Sequence, residues 1–330
     1  MITKQELHEE SYSLYNSDCM EILPSFPDAS IDLSIYSPPF AGLYNYSSSE
    51  RDFSNCESKE QFLEQYDYLI EQMGRLTKPG RINAVHCTDI ITQTTKHNLW
   101  DFPHEIIQLH LKHGFTYNNR ITIWKEPLEV RMRTMVQSLM HKNIVEDSTR
   151  CFPAMPDYLL VFRKGGENEV PVTHENGMQR YFGKYPVLPE MEEKYGKWED
   201  ICVKYKNWAD HKTNKMAHII WQRYASSVWD DIDGRNVLPF RDSKEEDDEK
   251  HVHPLQLDVI DRIIELYSNP DEVVLTPFMG VGSEVYSPVS LGRRAIGIEL
   301  KDSYYKQAAI NMQHAKNRFS DDEQKTQDLF

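Results

Sequence analysis

The run Ile31-Asp32-Leu33-Ser34-Ile35-Tyr36, followed at once by Ser37-Pro38-Pro39-Phe40, restricts what this chain can fold into more than any other stretch. A short β-branched and aromatic run closed by two prolines predicts a buried strand ending in a rigid, extended loop, because proline sets its own φ and restrains the residue before it. Ser37 is then held at the carboxyl edge of a sheet, where open α/β sheets bind ligands. A small hydroxyl, a stiffened carbonyl pair and an aromatic face side by side suit one planar polar group. The same dipeptides also punctuate surface turns, and the stretch alone supports both readings equally.

A second stretch separates them. Val273-Val274-Leu275-Thr276 is an apolar strand running into Pro277-Phe278-Met279-Gly280-Val281-Gly282-Ser283, and Gly292 to Leu300 is a further strand ending in Glu299. Glycines after a strand let a ligand approach the backbone, and an acid ending the next strand can accept hydrogen bonds from ribose hydroxyls. The loop lacks the full dinucleotide spacing, so by itself it is a generic nucleotide loop or a structural turn.

Together, Ser37-Pro38-Pro39-Phe40 and Phe278-Met279-Gly280-Val281-Gly282 resemble the S-adenosylmethionine-dependent amino-methyltransferases of DNA, where a Ser/Asp/Asn-Pro-Pro-aromatic loop holds the target base and a Phe-x-Gly-x-Gly loop holds the cofactor. The order, catalytic loop first, is similar to the circularly permuted group often called the beta class. The resemblance covers most of residues 11 to 315 and fades in the middle. It implies a Rossmann-like methyltransferase α/β fold: a mostly parallel sheet with an antiparallel hairpin strand, circularly permuted, with an inserted target-recognition region. The implied divisions are a catalytic half at 1–165, the insertion and an acidic linker at 166–250, a cofactor-binding half at 251–316 and a polar tail at 317–330. Asp18, Pro277, Phe278, Gly280, Gly282, Ser283 and Glu299 are the implied cofactor residues. Trp124 and Lys125, which end the strand-like Arg120 to Lys125, correspond to a segment against the target-base pocket. A core tryptophan fits Trp124 as well.

The 330 residues suffice for one large α/β core and an inserted module. The charged start, Met1 to Glu10, lacks the apolar core of a signal peptide, and no run is long enough to span a bilayer, so a cytoplasmic protein without membrane contact is expected. Five scattered cysteines without a Cys-x-x-Cys pair read as reduced, and His251-x-His253 lacks zinc-site neighbours, so no metal is expected. The net charge of −15 argues against a simple electrostatic nucleic-acid binder. The balance is uneven, however: acid gathers at 242–249, while Lys204, Lys206, Lys212, Lys215 and Arg223 face only Asp210 across residues 203–224.

Along the chain, Ser13 to Leu23 reads as strand, turn and helical turn, with Asp18 fitting a helix N-cap as well as a cofactor contact. Ala41 to Cys56, containing Tyr44, reads as a lid over the target or as a passive loop. Lys59 to Leu76 carries apolar residues at helical spacing, with Lys78-Pro79-Gly80 ending the helix. Arg81 to Cys87 and Asp157 to Lys164 are strands, and Asp101 to His113 is a helix. Residues 166–250 hold four of the six tryptophans, and Lys204-Tyr205-Lys206-Asn207-Trp208 and Trp221-Gln222-Arg223-Tyr224 interleave cations with aromatics. That pattern fits phosphate contact combined with base packing, and also a small packed subdomain with solvated lysines. The resemblance favours the first. His253-Pro254 opens a helix at Leu257 to Tyr267, and Ser303 to His314 forms the last one.

The resemblance implies direct in-line methyl transfer to an exocyclic amino group whose hydrogens are held by Ser37 and the Pro38 carbonyl, with Phe40 stacked on a base flipped from double-stranded DNA. Serine at the first position is more typical of cytosine N4 methylation, with adenine N6 as the alternative. Thr276 stands where the family usually has Asp, which favours a third reading, a catalytically silent DNA-binding protein, with Glu284 a candidate substitute for the missing carboxylate. Methylation of another substrate, such as a protein amide, is a further option that the tryptophan- and lysine-rich insertion disfavours. A homodimer and a cognate restriction nuclease are partners such a family brings to mind; no residue here fixes either.

Overall fold

The computed structural model describes residues 4–39, 53, 56, 58–93, 98–134, 140–151, 153–240, 243 and 254–315. Phe40, Tyr44, most of the acidic run at 242–249, His251 to His253 and the tail at 317–330 lie outside the described residues.

The chain opens with β1 (Gln5–His8), β2 (Tyr12–Asn16), α1 (Cys19–Ile22) and β3 (Ile31–Tyr36). Next come α2 (Lys59–Leu76), β4 (Thr77–Cys87), β5 (Ile90–Gln93), β6 (Asn98–Trp100) and α3 (Phe102–Lys112). They are followed by β7 (Phe115–Ile123), α4 (Pro127–Thr134), α5 (His141–Asp147) and β8 (Asp157–Lys164). Helices α6 (Pro189–Tyr195), α7 (Trp198–Tyr205) and α8 (Lys215–Ala225) precede the short β9 (Val228–Trp229). The last third contains α9 (Leu257–Tyr267), β10 (Val273–Thr276), α10 (Ser283–Ser290), β11 (Arg294–Glu299) and α11 (Asp302–Met312).

Nine strands form one sheet in the order β1-β2-β11-β10-β3-β4-β8-β7-β9. β2, β11, β10, β3 and β4 are mutually parallel, and β8 is antiparallel to both its neighbours, β4 and β7. All six residues of β3 are buried, as expected for a central parallel strand covered on both faces. Alternation then sorts the core: Val85, Cys87, Leu160 and Phe162 face the layer of α2 and α3, while Ile82, Ala84, Leu159 and Val161 face the layer of α9. In α2 the helical spacing buries Phe62, Tyr66, Leu69, Ile70, Met73 and Leu76, and the Ser58 hydroxyl caps the helix by accepting from the Gln61 N–H at 3.1 Å.

Lys78-Pro79-Gly80 does not form a free turn after α2. It is drawn into the start of β4, where Thr77 already pairs with Ile31 and the register shifts before Leu33 meets Ile82. The α-helical reading of 257–267 holds, and the last helix starts one residue earlier than expected. Residues 166–240 carry a cluster of their own, in which Met178, Val187, Ile201, Met216, Ile219, Ile220 and Tyr224 are buried.

Candidate active site

Because β2, β11, β10, β3 and β4 run parallel, their carboxyl ends share one edge of the sheet. The start of β8 and the end of β7 come to that same edge. The edge therefore presents, in order, Asp18, Glu299, the 277–282 loop, Ser37 to Pro39, His86, Asp157, and Trp124 with Lys125.

On the β10 side, the Met279 N–H donates to the Ile298 carbonyl and the Gly280 N–H to Glu299 Oε2, both at 2.8 Å, which ties the loop to the end of β11. The other Glu299 oxygen accepts the Lys301 N–H, also at 2.8 Å. Gly280 and Gly282 take φ of +53° and +97°, the left-handed region where glycine is unstrained. A Cβ on Gly282 would lie 3.2 Å from that of Ala308 in α11, whereas one on Gly280 would meet nothing within 4 Å, so the backbone there borders open space. Asp18 Oδ1 accepts the Met20 N–H at 2.9 Å and caps α1, and the Ser17 N–H donates to the Glu299 carbonyl at 3.0 Å, setting that turn beside β11. The N-cap reading of Asp18 is thus met.

Beneath this loop lie buried polar groups. Thr276 Oγ1 and Ser283 Oγ are buried and have no hydrogen-bond partner among the described residues. Glu284, in the first turn of α10, is buried as well; burial pushes its carboxyl up to about 8, its own backbone N–H offsets part of that, and the Glu299 charge adds to the rise.

The β10 and β3 ends meet through aromatic rings. Phe278 lies edge-on to Tyr36 of β3, with centroids 6.0 Å apart, and edge-on to Phe53 at 5.6 Å. Past Tyr36, Ser37 is half-buried and Pro38 buried. Ser37 Oγ lies 3.1 Å from His86 Nδ1 and 3.3 Å from the His86 carbonyl oxygen. His86 Nε2 in turn lies 3.1 Å from Asp157 Oδ2, though the N–H does not point along that line and Nε2 has no well-aligned partner. Lys125 Nζ donates to Asp157 Oδ1 at 2.5 Å. Burial by itself would raise the Asp157 carboxyl, but Lys125 and His86 outweigh it and hold it well below the usual carboxylate range. A hydroxyl backed by an imidazole, itself beside a carboxylate held anionic, can both orient a polar group and receive a proton.

His86 and Asp157 were not singled out in the sequence. The signal available was a histidine at the penultimate position of the strand Arg81 to Cys87. Lys125 is at the edge, as expected, but its ammonium is engaged by Asp157. Trp124 is 50 % exposed there, and the core tryptophan of this region is Trp229, fully buried, whose carbonyl accepts the Trp124 N–H at 3.0 Å.

Within residues 166–240, Lys204, Lys206, Trp208 and Trp221 are exposed. Trp208 Nε1 donates to Thr213 Oγ1 at 2.8 Å, and Lys204 Nζ lies 5.2 Å from the centre of the Tyr205 ring. Arg223 corrects the expectation of a DNA-facing cation. It is 8 % exposed and turned inward, with Nη2 2.6 Å from Asp230 and Nε 3.1 Å from Asp231. Fully buried Asp231 also accepts from Arg262 Nη2 of α9 at 2.7 Å and from the Tyr181 hydroxyl. A guanidinium here closes a charge network, because a buried Asp231 needs a cation beside it.

Among the described residues no cluster of three or more His, Cys, Asp or Glu is placed to hold a metal ion, and no helix is long and apolar enough to cross a membrane.

Known proteins resemble this chain in sequence and fold. The chain is 24 % identical over 303 residues to the type II methyltransferase M.BglII of Bacillus subtilis, spanning 91 % of this chain and 68 % of that one. To M1.MboII of Moraxella bovis, also a type II methyltransferase, it is 22 % identical, spanning 91 % and 95 %. The fold matches the cytosine-N4-specific PvuII DNA methyltransferase with a TM-score of 0.59 at 16 % identity, over 98 % of this chain and 93 % of that chain. It also matches a Thermus thermophilus protein assigned as a DNA modification methylase and complexed with S-adenosyl-L-methionine, with a TM-score of 0.58 at 22 % identity, over 94 % and 97 %. A family model described as DNA methylase, covering N6 and N4 amino-methyltransferases, matches residues 31–310, and the chain belongs to that family.

Proposed function

We propose that this DNA methyltransferase transfers the methyl group of S-adenosylmethionine to the exocyclic amino group of a base flipped from double-stranded DNA, with cytosine N4 the favoured target and adenine N6 the alternative. The observation that carries this reading is the meeting of the Ser37 and Phe278–Gly282 loops at adjacent strand ends, with Tyr36 and Phe278 in ring contact at 6.0 Å. A cofactor on one loop and a base on the other would be neighbours.

The residues suit the cofactor. Open space beside Gly280 admits a ligand to the backbone, and Glu299, at the end of β11, is a carboxylate with capacity for further donors such as ribose hydroxyls. Asp18, Pro277, Phe278, Gly282 and Ser283 would complete the cofactor site in this reading. The partnerless Ser283 Oγ and Thr276 Oγ1 await donors or acceptors, and Glu284 supplies a carboxyl where Thr276 supplies none. When bound, S-adenosylmethionine provides an electrophilic sulfonium methyl group. Ser37 and the Pro38 carbonyl would hold the amino hydrogens, turning the nitrogen lone pair out of conjugation and toward that methyl. Phe40 would stack on the base and Tyr44 would belong to the segment over it. Trp124, exposed at the edge, would line the base pocket.

Residues 166–250 form the target-recognition region in this reading, inserted between a catalytic half at 1–165 and a cofactor half at 251–316. The exposed Lys204, Lys206 and Trp208 combine phosphate-seeking cations with a stacking ring. The permuted order is part of the same proposal; β3 and β4 precede β10 and β11 in the chain yet lie beside them in the sheet.

Nucleoside mass spectrometry of unmethylated duplex DNA treated with the protein and S-adenosylmethionine tests the reading. N4-methylcytosine is expected. N6-methyladenine would move the choice of base, and transfer to protein but not DNA would overturn the substrate class.

A further inference from the structure

Methyl transfer to an amino group leaves a proton to be removed, and the site holds a path for it. Ser37 Oγ faces two acceptors for its own proton, His86 Nδ1 at 3.1 Å and the His86 carbonyl at 3.3 Å. For Nδ1 to accept, the imidazole proton must sit on Nε2, where the Asp157 carboxylate, 3.1 Å away though not aligned as a hydrogen bond, supplies the neighbouring negative charge. His86 and Asp157 are both buried, so their interaction is little screened by solvent. Lys125, on the far oxygen of Asp157, keeps the carboxylate charged.

We propose that His86 accepts, through the Ser37 hydroxyl, the proton that the target amino group sheds during methyl transfer, and that Asp157 stabilises the imidazolium so formed. The inference rests on the proposed amino-methyl transfer. As the N–CH3 bond forms and the S–CH3 bond breaks, the positive charge passes from sulfonium to the amino nitrogen. One N–H proton moves to Ser37 Oγ while the Ser37 hydroxyl proton moves to His86 Nδ1. The products are S-adenosylhomocysteine, a neutral methylated base and His86 as imidazolium. His86 acts through Ser37 and is therefore a positioning residue rather than one that touches the base.

The other charges near the imidazole come from the β8 side of β4. Asp157 arrives from β8 and Lys125 from the end of β7. The adjacent Cys87 points to the opposite face of the strand, where burial pushes its thiol well up, Asp157, Asp89 and Asp101 add to the rise and Arg120 opposes it. The charge closest to His86 is thus the Asp157–Lys125 pair, with no other cation in contact among the described residues to oppose its protonation.

Single-turnover methylation of duplex DNA as a function of pH, with S-adenosylmethionine affinity measured by calorimetry on the same preparations, tests this. In the wild type the rate should fall on the acid side, because an imidazolium has no acceptor lone pair for the Ser37 proton. His86→Asn should slow the step by roughly 10–100-fold at pH 8, flatten the acid limb and leave cofactor affinity within about twofold. Asp157→Asn, which keeps the imidazole, should move the acid limb to lower pH, because the imidazolium loses its counter-charge. An acid limb that persists in His86→Asn, or stays in place in Asp157→Asn, overturns the relay while leaving the methyltransferase reading intact. If His86→Asn does not fold, the Asp157→Asn limb decides. Absence of DNA methylation by the wild type would instead overturn the proposed function itself.

Discussion

Two buried charge networks stand some strands apart in this molecule, and they differ in one respect. Asp231 is enclosed by Arg262, Arg223 and Tyr181, with Arg262 lying about 5 Å over the rings of Tyr224 and Trp229 (4.9 Å to each). That network is closed around its carboxylate, and reaches solvent only through Asp230 on the outer side of Arg223: burial alone would raise the Asp231 carboxyl, but Arg262, with Tyr181 and Arg223, holds it below its ordinary range. The Ser37–His86–Asp157–Lys125 network is open at one end, where a half-buried serine hydroxyl reaches the sheet edge. The difference teaches that burial and ion pairing by themselves mark structure, and that an exit toward a cleft marks chemistry.

The closed network should give the largest effect on stability. Asp231→Ala leaves Arg262 without its buried carboxylate and Arg223 with only the half-exposed Asp230, and unfolding by denaturant should show a loss of roughly 3–5 kcal/mol. A loss under about 1 kcal/mol would mean the network is solvated and that the comparison fails.

Glu284 sharpens it from another side, since this carboxyl is buried with no cation acting on it among the described residues. Its carboxyl lies at about 8 in the folded protein against an ordinary 4.5, so the folded state holds a proton that the unfolded chain has lost across that interval. The stability it contributes is full below about 4.5 and is lost as pH rises through about 8. Glu284→Gln, which never ionises, should therefore gain on the wild type with rising pH, by up to about 5 kcal/mol at pH 9. Thermal denaturation at pH 5 and pH 9 checks the sign. A bound cationic cofactor should release that proton at pH 7, which calorimetry in buffers of different ionisation enthalpy would detect.

The smallest effect concerns the exposed cations of the insertion. Lys204→Ala with Lys206→Ala should reduce the salt dependence of DNA binding by about 2 in log–log slope, while Arg223→Ala should act on folding. Unchanged salt dependence in the lysine variant would remove these two residues from the interface.

What could be seen in the sequence divides along the same lines. The Ser37-Pro38-Pro39 and Gly280-x-Gly282 loops are local features, because φ restraint and left-handed glycines act within a few residues, and both stand at strand ends as expected. Asp18 could be read as a cap from its own neighbours. His86 and Asp157 could not, because Asp157 reaches the site only through the antiparallel pairing of β8 with β4. Arg223 misled for a related reason: a cation between aromatics has the same local pattern whether it meets phosphate or a buried carboxylate 8 residues on. Likewise Lys78-Pro79-Gly80 looks like a stop, yet pairing with β3 draws it into β4.

The central claim is that the edge holding Ser37 performs methyl transfer to a DNA base. Its most direct test is single-turnover transfer of labelled methyl from S-adenosylmethionine to unmethylated duplex DNA by the wild type and Ser37→Ala, with cofactor affinity measured for both. A wild-type signal that drops by at least about 100-fold in Ser37→Ala at unchanged cofactor affinity is the predicted result. Equal transfer by both proteins, or none by a wild type that binds both cofactor and DNA, would contradict it.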